Sequence, residues 1–273
     1  MASSRPPTAA HPGHPGTFQM LRRQLDYWWT AYRRTWKGSA ITSFVQPWLY
    51  VGALGVLLGE YVDDGGAELG GAPSYLAFVA PGLLAATAMQ VAAGEVMWPV
   101  MGALKWDRTY HAMIAAPLRV VDIVLGHLSY ALFRVTLATV AFTAVLALVG
   151  LFTSVAGALV AVVGALLTGA AFAAPVYAFS AGAKSEQAFV IIYRLGIIPM
   201  FLFSGAFFPI SNLDEPLQWL ARLTPLWHGV ELCRMGALGV WDASMLVHVG
   251  YLGGLTALGV WWAVHRLGRR LVV

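Results

Sequence analysis

The chain has 273 residues, of which 59% are hydrophobic and only 11% charged, where a soluble domain carries about 25% charged residues. With a mean hydropathy of +0.68, this composition excludes a soluble globular protein and makes the chain an integral membrane protein. The net charge of +4 is spread beside apolar runs, not gathered in a patch, which argues against nucleic acid as a partner. The single cysteine, Cys233, excludes an intrachain disulfide and a cysteine-cluster metal site.

Residues 1–17, MASSRPPTAAHPGHPGT, are rich in Pro, Gly and His and lack an apolar core, so they read as a disordered cytoplasmic tail and not as a secretory signal. His11 and His14 have no neighbouring ligands to complete a metal site. Over 18–37 the spacing of Leu21, Leu25, Trp28, Trp29, Tyr32 and Trp36, with arginines between them, predicts an amphipathic helix. Such a helix lies in the cytoplasmic interface, where it is also able to meet a partner.

Residues 38–273 read as one membrane domain. A bilayer core about 30 Å thick needs about 20 apolar residues, and six runs meet that need: Ala40–Gly59, Tyr75–Val100, Ile123–Leu151, Val155–Ala183, Ala188–Phe208 and Ser244–His265. Glu60, Asp63, Asp64 and Glu68 follow the first run and read as a solvated loop, a divalent-cation site being the other reading. Ala and Gly recur in the fourth run, which allows close helix contact.

Basic residues then orient the chain. Arg5, Arg22, Arg23, Arg33, Arg34 and Lys37 precede the first run. Lys105, Arg108 and Arg119 lie between the second and third, Lys184 between the fourth and fifth, and Arg266, Arg269 and Arg270 after the sixth. The opposite side has only Arg222 and Arg234, so both termini are expected in the cytoplasm. Within the runs, Glu95, Arg134 and Arg194 carry charge, which in a membrane marks a structural ion pair or an ion pathway. No G-x-x-x-x-G-K-[ST], H-E-x-x-H, G-x-S-x-G or dinucleotide fingerprint occurs.

Two connections are unusual. In MGALKWDRTYHAMIAAPLRVVD, Asp107 is placed to cap a short helix over Thr109–Ala115 that Pro117 stops. Its Trp106, Tyr110, Met113 and Ile114, mixed with Arg108 and His111, suit docking into a groove of a soluble protein. In FLFSGAFFPISNLDEPLQWLARLTPLWHGVELCR, Pro209 is expected to end the fifth run and Asp214-Glu215-Pro216 to start a new helix. Thr224 then caps another, with Pro225 at its first position. The helix from Pro225 to about Ala237 is about 20 Å long, too short to span and too apolar for a free loop. It is expected to dip into the outer leaflet and return, the alternative being an interfacial hairpin anchored by Trp219 and Trp227.

The segments TYHAMIAAPLR, SGAFFPI and LARLTPLWHGVELCR, on a six-run chain with a basic amphipathic start, resemble ABC-2 type transporter permeases over about residues 18–270. The branch they resemble is that of nodulation-type lipo-oligosaccharide exporters, with daunorubicin-type drug permeases close by. The resemblance implies an all-α integral membrane protein: six transmembrane helices, an N-terminal interfacial helix, a cytoplasmic coupling helix and re-entrant external helices between spans five and six. It implies Asp107, Arg108, Tyr110, His111, Met113 and Pro117 as the coupling helix that contacts an ATPase. It implies Phe207, Phe208, Pro209, Trp219, Pro225, Trp227, His228 and Glu231 as an external gate.

The same resemblance implies a cell-membrane permease with a second permease protomer and two cytoplasmic ABC ATPase subunits as partners, among membrane lipids. ATP and Mg would be held by the ATPase, leaving this chain with no cofactor, metal or catalytic residue of its own. The expected cargo is an amphipathic, lipid-linked glycan or lipo-oligosaccharide. A drug or antibiotic exporter of the same fold, a proton-coupled carrier or channel, and a membrane-bound transferase are the alternatives.

Overall fold

The structure is a computed structural model that describes residues 17–65, 69–116 and 118–271. The expectations for the tail, for Glu68 and for Pro117 lie outside the described residues. Among the described residues the chain is helical and contains no strand. The helices are α1 Thr17–Tyr50, α2 Gly59–Asp64, α3 Tyr75–Lys105, α4 Thr109–Ala115, α5 Val120–Leu148 and α6 Val155–Gly182, followed by α7 Gln187–Ile192, α8 Ile198–Phe203, α9 Glu215–Arg222, α10 Pro225–Leu238 and α11 Ser244–Leu271. Wider π-type turns join α1 to α2 over Val51–Leu57 and α7 to α8 over Tyr193–Ile197.

Among the described residues, five stretches are long and apolar enough to cross a membrane: Trp36–Asp64, Tyr75–Lys105, Val120–Leu148, Val155–Gly182 and Ser244–Leu271. The expected fifth span is shorter, Gln187–Phe203. It stops at Ser204–Gly205, not at Pro209, because Gly205 takes a left-handed φ of 79° that a helix does not continue through. The amphipathic segment is not a separate element either. With no proline before Pro47, α1 runs unbroken from the amphipathic stretch into the first span.

The long helices begin where side chains satisfy their first amides. Ser74 accepts from the Ala77 amide at 3.2 Å and Ser154 from Gly157 at 3.0 Å. Asp122 accepts from the Arg119 amide at 3.1 Å. Glu60, Asp63 and Asp64, expected in a loop, lie in α2, and Asp63 accepts from the Tyr75 amide at 2.8 Å and so anchors the start of α3.

Helix α3 is the centre of the molecule. Of its most apolar stretch 83% is buried, against 11% for the first span. It packs on α5, α6 and α10, while α11 lies along α6 and α1 along α5. Glycines set the closest of these contacts. A Cβ on Gly157 would fall 2.2 Å from the Gly236 carbonyl oxygen, and one on Gly229 would fall 2.0 Å from Thr168 Oγ1, so α10 meets α6 almost backbone to backbone. On the other side of α6, Gly259 of α11 receives Pro175. Arg270 closes that end by donating to the carbonyls of Ala181 at 2.8 Å and Ala183 at 3.0 Å.

Candidate functional site

The candidate side chains gather at three levels along the bundle. At the first, α4 follows a tight turn in which Arg108 adopts φ 51° and makes no side-chain cap. Asp107, expected to cap α4, stands one residue too early and is exposed. Tyr110 was expected to project toward a partner. It is 1% exposed, and its hydroxyl is hydrogen-bonded to His127 Nδ1 of α5. Burial pushes the Tyr110 phenol well above its usual range, so it remains a hydroxyl. Met113 is half-buried, while Arg108 and His111 are exposed and Trp106 is 57% exposed. The face left free on this side of the molecule is therefore Trp106, Arg108 and His111.

The second level lies between α1, α3 and α5. Arg134 Nε donates to Glu95 Oε1 at 2.8 Å, joining two of the three charges expected inside the spans. The Arg134 guanidinium also sits 5.4 Å from the Tyr32 ring centroid. It borders a cavity of about 60 Å³ with Thr42, Ser43 and Gln46 of α1 and Thr87 of α3. Arg194 is not brought to this pair; it is exposed beside Trp98 and Tyr193. Just along α1 from this cavity, Asp26, Trp28, Trp29, Tyr32, Tyr130 and Phe133 line a pocket of about 300 Å³. Trp28 stacks on Tyr130 with centroids 4.6 Å apart, and Tyr32 meets Phe133 edge-on at 5.2 Å.

The third level is the segment after α8. Thr224 accepts from the Trp227 amide at 3.4 Å with Pro225 leading α10, and Asp214 precedes α9, as the sequence predicts. Phe207 packs edge-on against Phe201 at 4.9 Å, with Phe208 and Pro209 half-buried beside it. Trp219 is exposed under the Arg222 guanidinium. His228 Nδ1 lies 2.8 Å from His248 Nδ1 of α11, so one imidazole carries the proton that the other accepts. Tyr251 stacks on His228 at 4.0 Å, and its hydroxyl donates to the Leu223 carbonyl at 2.6 Å. Glu231 accepts from Arg234 at 2.8 Å.

Sequence reasoning passed over three residues at these levels. By sequence Arg234 reads only as a basic residue on the side opposite the basic loops. It is buried, donates to the Gly205 carbonyl at 2.7 Å and lies 4.1 Å over the Phe78 ring, tying α10 to α3 and to the SGAFF bend. His127 and His248 are buried within apolar helices. The sequence signal for both is a neutral histidine inside an apolar run.

The ABC-2 type transporter family matches residues 18–238. The chain belongs to this family. It is 34% identical to Nodulation protein J of Rhizobium leguminosarum bv. trifolii over 252 residues, 90% of this chain and 94% of the relative. It is 33% identical to Nodulation protein J of Rhizobium meliloti (strain 1021) over 243 residues, 85% of this chain and 88% of the relative. For Nodulation protein J of Bradyrhizobium diazoefficiens the identity is 32% over 254 residues, 90% and 95%. As an ABC-2 permease the chain is a multi-pass membrane subunit of an ABC transporter, of a family that works with an ABC ATPase subunit.

Proposed function

We propose that this permease exports an amphipathic, lipid-linked glycan or lipo-oligosaccharide, driven by two copies of a separate ABC ATPase that dock at α4. The observation that carries the cargo class is the aromatic pocket at Trp28, Trp29, Tyr32, Tyr130 and Phe133 with Asp26 at its rim. Flat ring faces take the apolar faces of sugar rings, while a carboxylate and the Trp28 Nε1, buried without an acceptor, supply hydrogen bonds to hydroxyls. ATP and Mg belong to the partner subunit in this reading, since the chain carries no phosphate-cradling loop.

The arrangement of the permease follows from the same reading. Gly182 meets Arg266 and Gly259 meets Pro175, so α11 runs parallel to α6. The chain must therefore cross back between them, which supports Gln187–Phe203 as a sixth crossing, about 25 Å long. With the basic loops inward, both termini and α4 face the cytoplasm of the cell membrane. Helix α10 runs antiparallel to α6, with Gly236 beside Gly157 and Gly229 beside Thr168. Its first turn thus sits about 20 Å along α6 from the outer end, which supports a re-entrant α9–α10 cap that closes the external side. The faces that α1 and α7–α8 leave uncovered, including Phe44, Leu49, Leu195 and Phe203, are assigned to a second permease protomer.

The test is reconstitution of the permease with its co-expressed ABC ATPase in proteoliposomes. ATP hydrolysis should rise with added lipo-oligosaccharide, and Trp29→Ala with Tyr130→Ala should abolish that rise. Stimulation by a cationic amphipathic drug alone would make it a drug exporter. Uptake driven by a proton gradient without ATP would make it a carrier.

A further inference from the structure

His127 is the point where four helices meet one polar side chain. It is 0% exposed on α5. Its Nε2 lies 2.9 Å from the Glu95 backbone carbonyl of α3. A carbonyl only accepts, so Nε2 carries the hydrogen, and the neutral ring keeps a lone pair on Nδ1. The Tyr110 hydroxyl of α4 donates to that lone pair. The Trp28 ring of α1 packs against the imidazole at 4.4 Å and the Tyr177 ring of α6 meets it edge-on at 5.4 Å. Every hydrogen-bonding site of the imidazole is used, and its direction is fixed by chemistry.

On the α4 side the directional attachment is the Tyr110 hydroxyl, beside the apolar packing of Met113 and Ile114 on the core. Tyr110 is the one buried residue that this seven-residue helix has. On the membrane side it widens. Glu95, whose carbonyl receives His127, also receives Arg134 through its carboxylate, and Arg134 lies over Tyr32, one turn of α1 beyond Trp28. Apolar contacts slide with little change in energy, whereas a buried, directional hydrogen bond resists being lengthened in a medium without water to replace it.

We infer that Tyr110 and His127 are positioning residues that transmit displacement of α4 to the cytoplasmic half of α1. This rests on the reading of α4 as the ATPase-facing helix. A push on α4 enters the bundle at the Tyr110 hydroxyl, turns or shifts His127, and moves α1 both directly at Trp28 and through Glu95–Arg134 at Tyr32. The aromatic pocket, built from the same rings, opens or narrows with it.

The test uses the full permease purified with its co-expressed ABC ATPase in lipid nanodiscs. A bimane label is placed at Trp36→Cys, an exposed position in the cytoplasmic half of α1, in a Cys233→Ser background. Emission is read with and without ATP and vanadate and divided by nucleotide bound. The unsubstituted pair should give an ATP-dependent shift. Tyr110→Phe, which removes one oxygen from a ring that stays buried, should reduce it about fivefold. His127→Leu should reduce it as much, and the two together no further, because both break one route. If His127→Leu does not insert, Tyr110→Phe alone decides. A merely structural contact would lower the melting temperature and leave the shift per bound nucleotide unchanged, and that result overturns the inference while the ATPase-facing reading of α4 stands. No shift in the unsubstituted complex overturns both.

Discussion

Arg134 and Glu95 illustrate what a single charged pair does inside a bundle. Their side chains are 18% and 20% exposed, and each has its strongest partner in the other at 2.8 Å. Removing one member strands the other in a medium that hydrates it poorly. Arg134→Met should therefore cost about 2 kcal/mol of stability, read as a lower melting temperature in detergent. Adding Glu95→Gln should recover part of the loss, since no stranded carboxylate then remains. A melting temperature unchanged in Arg134→Met would show that water reaches the pair freely. Arg108 is a second case at this scale. With φ at 51°, it is the one non-glycine residue with a left-handed backbone among the described residues. A β-branched side chain fits that conformation badly, so Arg108→Val should weaken α4 by about 1–2 kcal/mol. Hydrogen exchange of the amides of residues 111–115 measures it directly, and Arg108→Gly should leave their protection intact.

At the scale of elements, α10 holds to the bundle by the absence of side chains as much as by their presence. Helix α10 approaches α6 through Gly157, Gly229 and Gly236, and Arg234 then pins it to the Gly205 carbonyl. Gly229→Ala would drive a methyl group to 2.0 Å from Thr168 Oγ1, whose own hydroxyl is held by the Gly164 carbonyl at 2.7 Å. Separating the helices to relieve it should cost about 1–3 kcal/mol. The melting temperature should fall accordingly, and Thr168→Ala introduced with Gly229→Ala should restore part of it. If Gly229→Ala melts like the unsubstituted chain, the two helices do not pack at this distance. The α4 side is built differently, a short helix without glycine that is held by one buried tyrosine with Met113 and Ile114 packed on the core beside it.

For the whole molecule, one labelling experiment fixes the direction of every element. In a Cys233→Ser background, Asp64→Cys should react with an impermeant thiol reagent added outside intact cells. Arg269→Cys, at the last turn of α11, should react only after the membrane is opened. The reverse pattern would place α4 outside and remove the face that an ATPase requires. The parallel run of α11 along α6 makes the result informative for the middle of the chain as well. Both helices end on one side, so the side found for Arg269 is also the side of Lys184 and of the loop that carries Tyr110.

The sequence alone determined that this is a helical membrane protein, because backbone amides in a bilayer must pair within a helix or a closed barrel and apolar runs of about 20 residues suit only the helix. The periodicity and punctuation of the sequence also placed α3, α5, α6 and α11, and the Thr224-Pro225 start of α10, since caps and prolines act within a few residues of where they stand. Local signals misled where a distant contact or a backbone torsion prevailed. Gly205, not Pro209, ends α8; α1 does not break after its amphipathic stretch; and Tyr110 turns inward because a buried imidazole seventeen residues later offers it an acceptor. The pairing of Glu95 with Arg134, of His228 with His248 and of Arg234 with the Gly205 carbonyl depends on which helix faces lie together. That choice belongs to tertiary packing, since every apolar span satisfies the bilayer equally well and only the fit of glycine against side chain selects its neighbour.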